Sequence, residues 1–329
     1  MMSANFHFHQ LQPDLLLDAL ESYQIRLESG LMALNSYENR VYQFKADDMQ
    51  RYVVKFYRPE RWTAEQIGEE HQFCRDLQQA ELDIIAPLQF DGQSLLQYQH
   101  YYFAVFPSKG GRPFSAEQDE HWEQLGTLLG QLHQVGAATT FQHRPILQVH
   151  TEIQQAIPLL LQCPLMPAAL RPQYQRTLEQ LLHTIQQLPA VKWRSRRIHG
   201  DCHAGNILTD QQLFLLDFDD CLQGPAVQDF WMLLSGDEME QRIQLEILTE
   251  QYQNFTDFNQ SELALIEPLR CRRMVLYMVW LAKRWADPAF PLHFPWFAHE
   301  DYWQQQLQQL QQQNLRLQQP TLRLYPYDI

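Results

Sequence analysis

The residues that could do chemistry gather in one stretch, Ile198 to Asp220, with the sequence IHGDCHAGNILTDQQLFLLDFDD. Two short apolar runs, Ile207 to Thr209 and Leu213 to Leu216, flank the polar turn Asp210-Gln211-Gln212 and predict a β-hairpin. The turn centre falls midway between Asn206 and Asp217, so antiparallel pairing is expected to set the two opposite each other, with Cβ atoms roughly 5 Å apart. Asp201 lies a few residues before Asn206, in a loop whose Gly200 and Gly205 reach backbone angles that other residues resist. One loop and one hairpin thus collect three oxygen-bearing side chains. Mg²⁺ takes hard oxygen ligands and keeps the rest of its shell for water and phosphate, so Asn206 and Asp217 suit an ATP-bound metal. Asp201 is left for the hydroxyl that would accept a phosphoryl group.

The set His199-Gly200-Asp201-x-His203-x-x-Asn206, followed by Asp217-Phe218-Asp219, resembles the catalytic loop and metal segment of the aminoglycoside phosphotransferase and choline kinase superfamily. Leu34 to Tyr42 (LNSYENRVY) and Pro225 to Leu234 (PAVQDFWMLL) are similar, more narrowly, to a branch of bacterial serine/threonine protein kinases of the stress response. The resemblance implies an α+β, bilobal, protein-kinase-like fold. Residues 1–107 would form a small antiparallel-sheet lobe that binds nucleotide, and residues 108–329 a mainly helical lobe carrying the catalytic loop and metal site. It also implies ATP as phosphoryl donor, Mg²⁺ as cofactor, and serine or threonine on proteins as acceptor, the kinase itself included. Ser36 is given a phosphate-binding role by the same resemblance.

Several elements must position these groups. Asp14 to Tyr23 has helical apolar spacing after Pro13, and Leu31 to Leu34, Val41 to Phe44 and Tyr52 to Tyr57 read as successive antiparallel strands. The turn Asn35 to Asn39 between the first two contains no glycine, unlike the glycine-rich loop that folds over ATP in protein kinases. Asn35 and Ser36 could still offer backbone N–H groups and a hydroxyl to phosphate. Lys55 sits in Tyr-Val-Val-Lys-Phe-Tyr, a setting that matches the strand whose lysine meets the α/β-phosphates in kinases. Thr63-x-x-Gln66 is a capping box opening a helix through Leu77, on which Glu70 is expected to hold Lys55, with Glu69 as the alternative. Glu81 to Pro87 is expected to lead into a strand, Asp91-Gly92 to turn a hairpin, and Tyr101 to Phe106 to form the last strand. Phe106-Pro107-Ser108 would be the hinge whose backbone meets adenine.

Beyond the hinge, Lys109 to Pro113 reads as a linker and Glu117 to His133 as an amphipathic helix. His133 is expected to brace the catalytic loop from the core. A helical pair over residues 150–190 is broken by Pro164, Pro167 and Pro172. Asp229, opening a helix from Trp231 to Leu234, could accept backbone N–H bonds from the catalytic loop or cap that helix. Asp217 and Asp229 lie close in sequence with no Ala-Pro-Glu segment between or after them, which argues against a long phosphorylation-controlled loop. Ile266 to Trp285 reads as a core helix, and residues from His299 onward as a final helix on a glutamine-rich background.

Composition narrows the classes. The 329 residues suffice for one two-lobed enzyme, and 45% hydrophobic content argues against disorder. A net charge of −14 disfavours nucleic-acid binding, and the expected state is a monomer acting on protein substrates without membrane association. Five cysteines without metal spacing, and an N-terminus lacking basic and long apolar segments, imply a reduced, cytoplasmic protein. Met274 to Ala282 is too short for the ~20 residues a membrane span needs. A zinc site from His199, Cys202 and His203, and oxidant sensing at Cys202 and Cys221, are weaker alternatives. Two rival functions stand beside the protein kinase. One is a kinase of an amino alcohol or aminosugar, drawn by an acidic rim of Asp287, Glu300 and Asp301. The other is a non-catalytic nucleotide-binding regulator, which would be expected to lack one of Lys55, Asp201, Asn206 or Asp217.

Overall fold

A computed structural model describes residues 8–324 of the chain. The elements run α1 (Pro13–Glu21), β1 (Met32–Ala33), β2 (Arg40–Lys45), β3 (Arg51–Phe56), α2 (Ala64–Gln79), β4 (Leu96–Tyr98) and β5 (Tyr101–Pro107). There follow β6 (Arg112–Pro113), α3 (Asp119–Gly136), α4 (Val149–Leu161), α5 (Arg171–Gln187), β7 (Arg196–Ile198), β8 (Ile207–Thr209), β9 (Leu213–Leu215) and β10 (Leu222–Gly224). The chain continues with α6 (Glu238–Tyr252), α7 (Ile266–Arg284), α8 (Ala289–His293) and α9 (Glu300–Arg316). By internal contacts the described residues divide into two units, one of 8–146 with 194–258 and another of 147–193 with 259–324. The division places the position 107/108 inside one compact unit.

In the first unit an antiparallel sheet has strand order β1-β2-β3-β5-β4. Its two faces carry different chemistry because side chains alternate along each strand. Val54 and Phe56, with their partners Val105 and Phe103, line one face, where the Phe56 and Phe103 rings stack and Tyr23 meets Phe103 edge-on. Lys55, opposite Val41 and Ala104, lies on the other face with Tyr57, and there Ile67 of α2 packs against Tyr57 and Ala104. The helix begins where the sequence predicts: Thr63 and Gln66 form a reciprocal capping box, and Ile67, Glu70, His71 and Cys74 are buried on its inner side. Two expected turns fall elsewhere. Asp91-Gly92 closes only an isolated bridge between Phe90 and Gln93, and the hairpin proper turns at Gln99-His100. Residues 83–85 do not extend the large sheet but bond to β9, with Ile85 N–H donating to Leu215 C=O over 2.8 Å.

The expected hairpin β8–β9 forms, with Asp210 to Gln212 in its turn. Its neighbour is β6, so Arg112–Pro113, expected as linker, pairs with β8 as a third strand; a strand this short leaves little hydrophobic alternation to recognise. The segment 231–234, expected as a helix, is not one: residues 230–233 form turns after the short 3₁₀ turn Ala226–Asp229. The helix that packs on α3 is instead α6, which opens on a second capping box at Asp237 and Glu240. Contact between α3 and α6 is close because α3 presents glycine: a Cβ at Gly126 would stand 2.2 Å from Leu248 C=O.

In the second unit α4, α5, α7 and α9 pack together, with the buried Tyr174 hydroxyl donating to Trp303 C=O over 2.6 Å and Arg272 paired to Glu152. Asp287, expected on an acidic rim, is buried and accepts from Ala289 N–H at 3.1 Å, so it does not belong to such a rim; Glu300 and Asp301 are exposed in the first turn of α9. No helix among the described residues is long and apolar enough to cross a membrane. Gly126→Ala is expected to lower stability by about 1–3 kcal/mol through overpacking, read from urea unfolding, with the loss confined to the α3–α6 contact.

Candidate active site

The loop between β7 and β8 is shaped by one buried carboxylate. Asp229, fully buried, accepts His199 N–H at its Oδ2 and Gly200 N–H at its Oδ1, both at 2.8 Å. His133 donates from Nε2 to Asp229 Oδ2 over 2.9 Å; its Nδ1 accepts from the Tyr252 hydroxyl, which in turn accepts from Arg196 over 2.6 Å. Burial first of all holds the His133 imidazole below its ordinary pKa, so it stays neutral and keeps these roles. The bracing expected of His133 is therefore delivered through Asp229, which serves the loop and not a helix cap. Gly200 has φ +84°, and a Cβ there would lie 2.2 Å from Asp220 C=O, so only glycine lets the loop pass the metal segment.

His199 points both ring nitrogens inward: Nε2 donates to Leu216 C=O at 2.9 Å and Nδ1 accepts from Asp201 N–H at 3.3 Å. That engagement removes it from the zinc alternative, and no three His, Cys, Asp or Glu residues among those described are placed to hold a metal. Cys202 and Cys221 are buried, and burial pushes both thiols well above the usual range, which disfavours the thiolate that oxidant sensing requires.

Asn206 donates from Nδ2 to Asp201 C=O over 3.0 Å, which orients its amide oxygen as the group available to a ligand. The hairpin register differs by one residue from expectation. Ile207 pairs with Leu215, and Leu216 N–H donates to Asn206 C=O at 3.1 Å, so Asn206 faces Leu216 and Asp217 is the next residue along. The turn is centred on Gln211, which sequence alone does not distinguish from a centre half a residue later. Asp217 then takes left-handed angles, φ 61° and ψ 70°, a conformation rare for non-glycine residues. Its side chain, 47% exposed, reaches Lys55 Nζ with Oδ1 at 3.4 Å.

Lys55 is nearly buried and has three carboxylates around its ammonium: Glu70 at 3.2 Å, Asp217 at 3.4 Å and Asp219 at 3.4 Å. Burial alone would pull its pKa down, but Glu70 and the other groups override that and hold it well above the usual lysine range. Adjacent Glu69 is spent elsewhere, accepting backbone N–H bonds from Gln142, His143 and Arg144. Asp219 is gripped by Arg61, by Asn39 Nδ2 at 3.2 Å and by Lys55; against the effect of burial, the charges of Arg61, Lys55 and Arg144 and the Asn39 hydrogen bond keep it well below the usual carboxylate range. Ser36 lies three residues before Asn39, and it is Asn39, not Ser36, whose bond ties that turn to Asp219. At the expected hinge Ser108 N–H donates to Arg51 C=O at 3.0 Å and Pro107 has no N–H, so of the groups expected to meet adenine these two residues offer only carbonyl oxygens.

The donor set fits a hard divalent cation, since the Asn206 amide oxygen and the part-exposed Asp217 carboxylate are both oxygen ligands beside an excess of carboxylates. Residues 31–266 match the phosphotransferase enzyme family. The chain belongs to that family. As a phosphotransferase it has relatives of nearly its own length: Stress response kinase A of Escherichia coli (strain K12) is 48% identical over 310 residues, 93% of each chain. Serine/threonine protein kinase RdoA of Salmonella typhimurium is 46% identical over 301 residues, 92% of each chain. Among solved structures, amicoumacin kinase hAmiN, in complex with AMP-PNP, Ca²⁺ and Ami, superposes with TM-score 0.72 at 17% identity over 91% of this chain and 93% of that one. The microcompartment-associated aminopropanol kinase does so with TM-score 0.69 at 17% identity, over 93% and 100%. These likenesses establish the kinase-type α+β fold of the phosphotransferase family.

Three residues of this phosphotransferase site escape sequence reasoning: Asn39, Arg61 and Arg144. Asn39 ends the recognised turn, and Arg61 precedes a capping box, but nothing local announces that either meets Asp219. Another buried group sets a pH limit on the whole site. His71 is bonded to the Tyr57 hydroxyl at 2.8 Å and to Ser94 Oγ at 2.9 Å, and burial, then Lys55, push its pKa down to about 3 from 6.5. The unfolded chain therefore binds more protons below about 6.5, and the stabilisation present above that pH is lost as pH falls toward 3. The melting temperature should fall between pH 7 and pH 5, and His71→Gln should flatten that slope; an unchanged slope in the variant would contradict the assignment.

Proposed function

We propose that this phosphotransferase is an ATP- and Mg²⁺-dependent serine/threonine protein kinase, able to phosphorylate itself, that works as a cytoplasmic monomer in a stress response. The observation that carries the catalytic part is the Lys55 ammonium held within 3.4 Å of both Glu70 and Asp217. Such a lysine is preset beside the metal carboxylate, which is the arrangement phosphoryl transfer from a nucleotide requires. The relative named serine/threonine protein kinase RdoA, which aligns along 92% of the chain, supports protein as acceptor.

In this reading Lys55 turns its charge toward the α/β-phosphates, while Glu70 keeps the side chain extended. Asn206 and Asp217 would hold the metal, which when bound would supply charge neutralisation at the phosphates. Asp201, beside His203 Nε2 at 3.4 Å, orients the acceptor hydroxyl and takes its proton as the oxygen–phosphorus bond forms and the bond to the ADP oxygen breaks. Gly200 and Asp229 do no chemistry here; they hold Asp201 where the hydroxyl must arrive.

Removing Asp201 or Asp217 as the asparagine variant is expected to lower turnover on the order of 10³-fold or more with the fold retained. Normal turnover in Asp217→Asn would end the assignment. Incubation with labelled ATP, a generic protein acceptor and a panel of amino alcohols and aminosugars should place label on protein. Label on a small molecule alone rejects the protein-kinase reading, and no label on anything leaves the non-catalytic regulator.

A further inference from the structure

We propose that Arg144 is a positioning residue for phosphoryl transfer, clamping α2 to the metal segment so that Lys55 and Asp217 are set as one unit. This rests on the kinase reading above. Arg144 is buried, and its guanidinium spans two elements that approach each other at the site. On one side Nη2 donates to Glu70 Oε2 at 2.8 Å, the carboxylate whose other oxygen holds Lys55 at 3.2 Å. On the other side Nη1 donates to Asp219 C=O at 2.7 Å and Cys221 C=O at 3.4 Å, in the turn that starts at Asp217. Its Nε donates to Gln66 C=O at 2.8 Å, one turn before Glu70, and its plane lies over the Trp62 ring at 4.4 Å.

The fork of a guanidinium is what makes this a clamp, because five donors in a rigid plane can serve a carboxylate and three carbonyls at once, whereas an ammonium serves one cluster. Displacing α2 away from Lys55 must break the bonds to the metal segment, and displacing Asp217 must break the bonds to α2. The base of the clamp is itself held: Glu69 accepts the backbone N–H groups of residues 142–144, so Arg144 enters from a fixed loop. The two adjacent glutamates thus divide the work, Glu69 holding the backbone of the segment and Glu70 its guanidinium and Lys55. None of these atoms touches the reacting groups, so the effect on rate must pass through Lys55 and Asp217.

The test uses the full chain with Arg144→Lys, Glu70→Gln and the double variant, reading kcat and KM for MgATP in label transfer together with melting temperature. For Arg144→Lys we expect about a tenfold or greater fall in kcat with a raised KM for MgATP, because the charge stays but the fork is lost. The double variant should be no worse than the poorer single one, as for groups acting in one chain. Wild-type kinetics within twofold in a folded Arg144→Lys, or losses that multiply in the double, would overturn the clamp. Should Arg144→Lys fail to fold, Glu69→Gln, which loosens the loop without touching Lys55 or Asp217, must lower kcat in the same direction; wild-type kcat there overturns the proposal. If wild-type protein transfers no label, the kinase reading fails on its own, and weakened binding of Mg·AMP-PNP in Arg144→Lys still decides the clamp.

Discussion

One ammonium with three carboxylates around it governs the site. A lysine carried into a nearly water-free sheet face would lose its proton if it stood alone; Glu70, Asp217 and Asp219 keep it charged. The carboxylates in turn need more cations than one lysine provides, and Arg61 and Arg144 supply them from the turn before α2 and from the loop after α3. Buried charge of this kind is costly to desolvate and is tolerated only when every member is bonded, so the network constrains where α2, β3 and the 217–221 turn can lie. Asp217 is the part-exposed member of the network, and its carboxylate is the oxygen ligand that suits a divalent cation.

A second constraint comes from backbone geometry. The catalytic loop crosses the metal turn so closely that Gly200 cannot carry a side chain, and Asp217 adopts a left-handed conformation directly after the hairpin. Strained or crowded backbone persists only where surrounding bonds over-determine it. Here the bonds are those of Asp229 to two consecutive N–H groups, backed by His133, Tyr252 and Arg196. A rigid core chain thus ends one residue before Asp201, and rigidity at that point is what the proposed general base would require.

Adjacent residues in this chain take unrelated roles when their side chains diverge by one helical step. Glu69 and Glu70 are chemically the same and next to each other, yet one meets backbone N–H groups and the other meets Lys55 and Arg144. Asp217 and Asp219 likewise share one motif, but the first is part-exposed beside Lys55 and the second is sealed under Arg61. Burial, set by packing of the neighbouring elements, separates the roles.

The sequence by itself determined what depends on local pattern. The capping box at Thr63, the β3 strand with its lysine, the β8–β9 hairpin and the spacing from Asp201 to Asn206 are all short-range features, governed by side-chain alternation and by hydrogen bonds within a few residues. The tertiary structure decided everything that required two distant segments to meet: the pairing of Arg112–Pro113 with β8, the choice of Glu70 over Glu69, and the convergence of Asn39, Arg61 and Arg144 on the metal turn. It also set the hairpin centre on Gln211, placing Asn206 across from Leu216. The physical reason is that an isolated arginine or asparagine carries no sign of its partner, since long-range charge pairing depends on the burial and approach of elements that only the packed core creates.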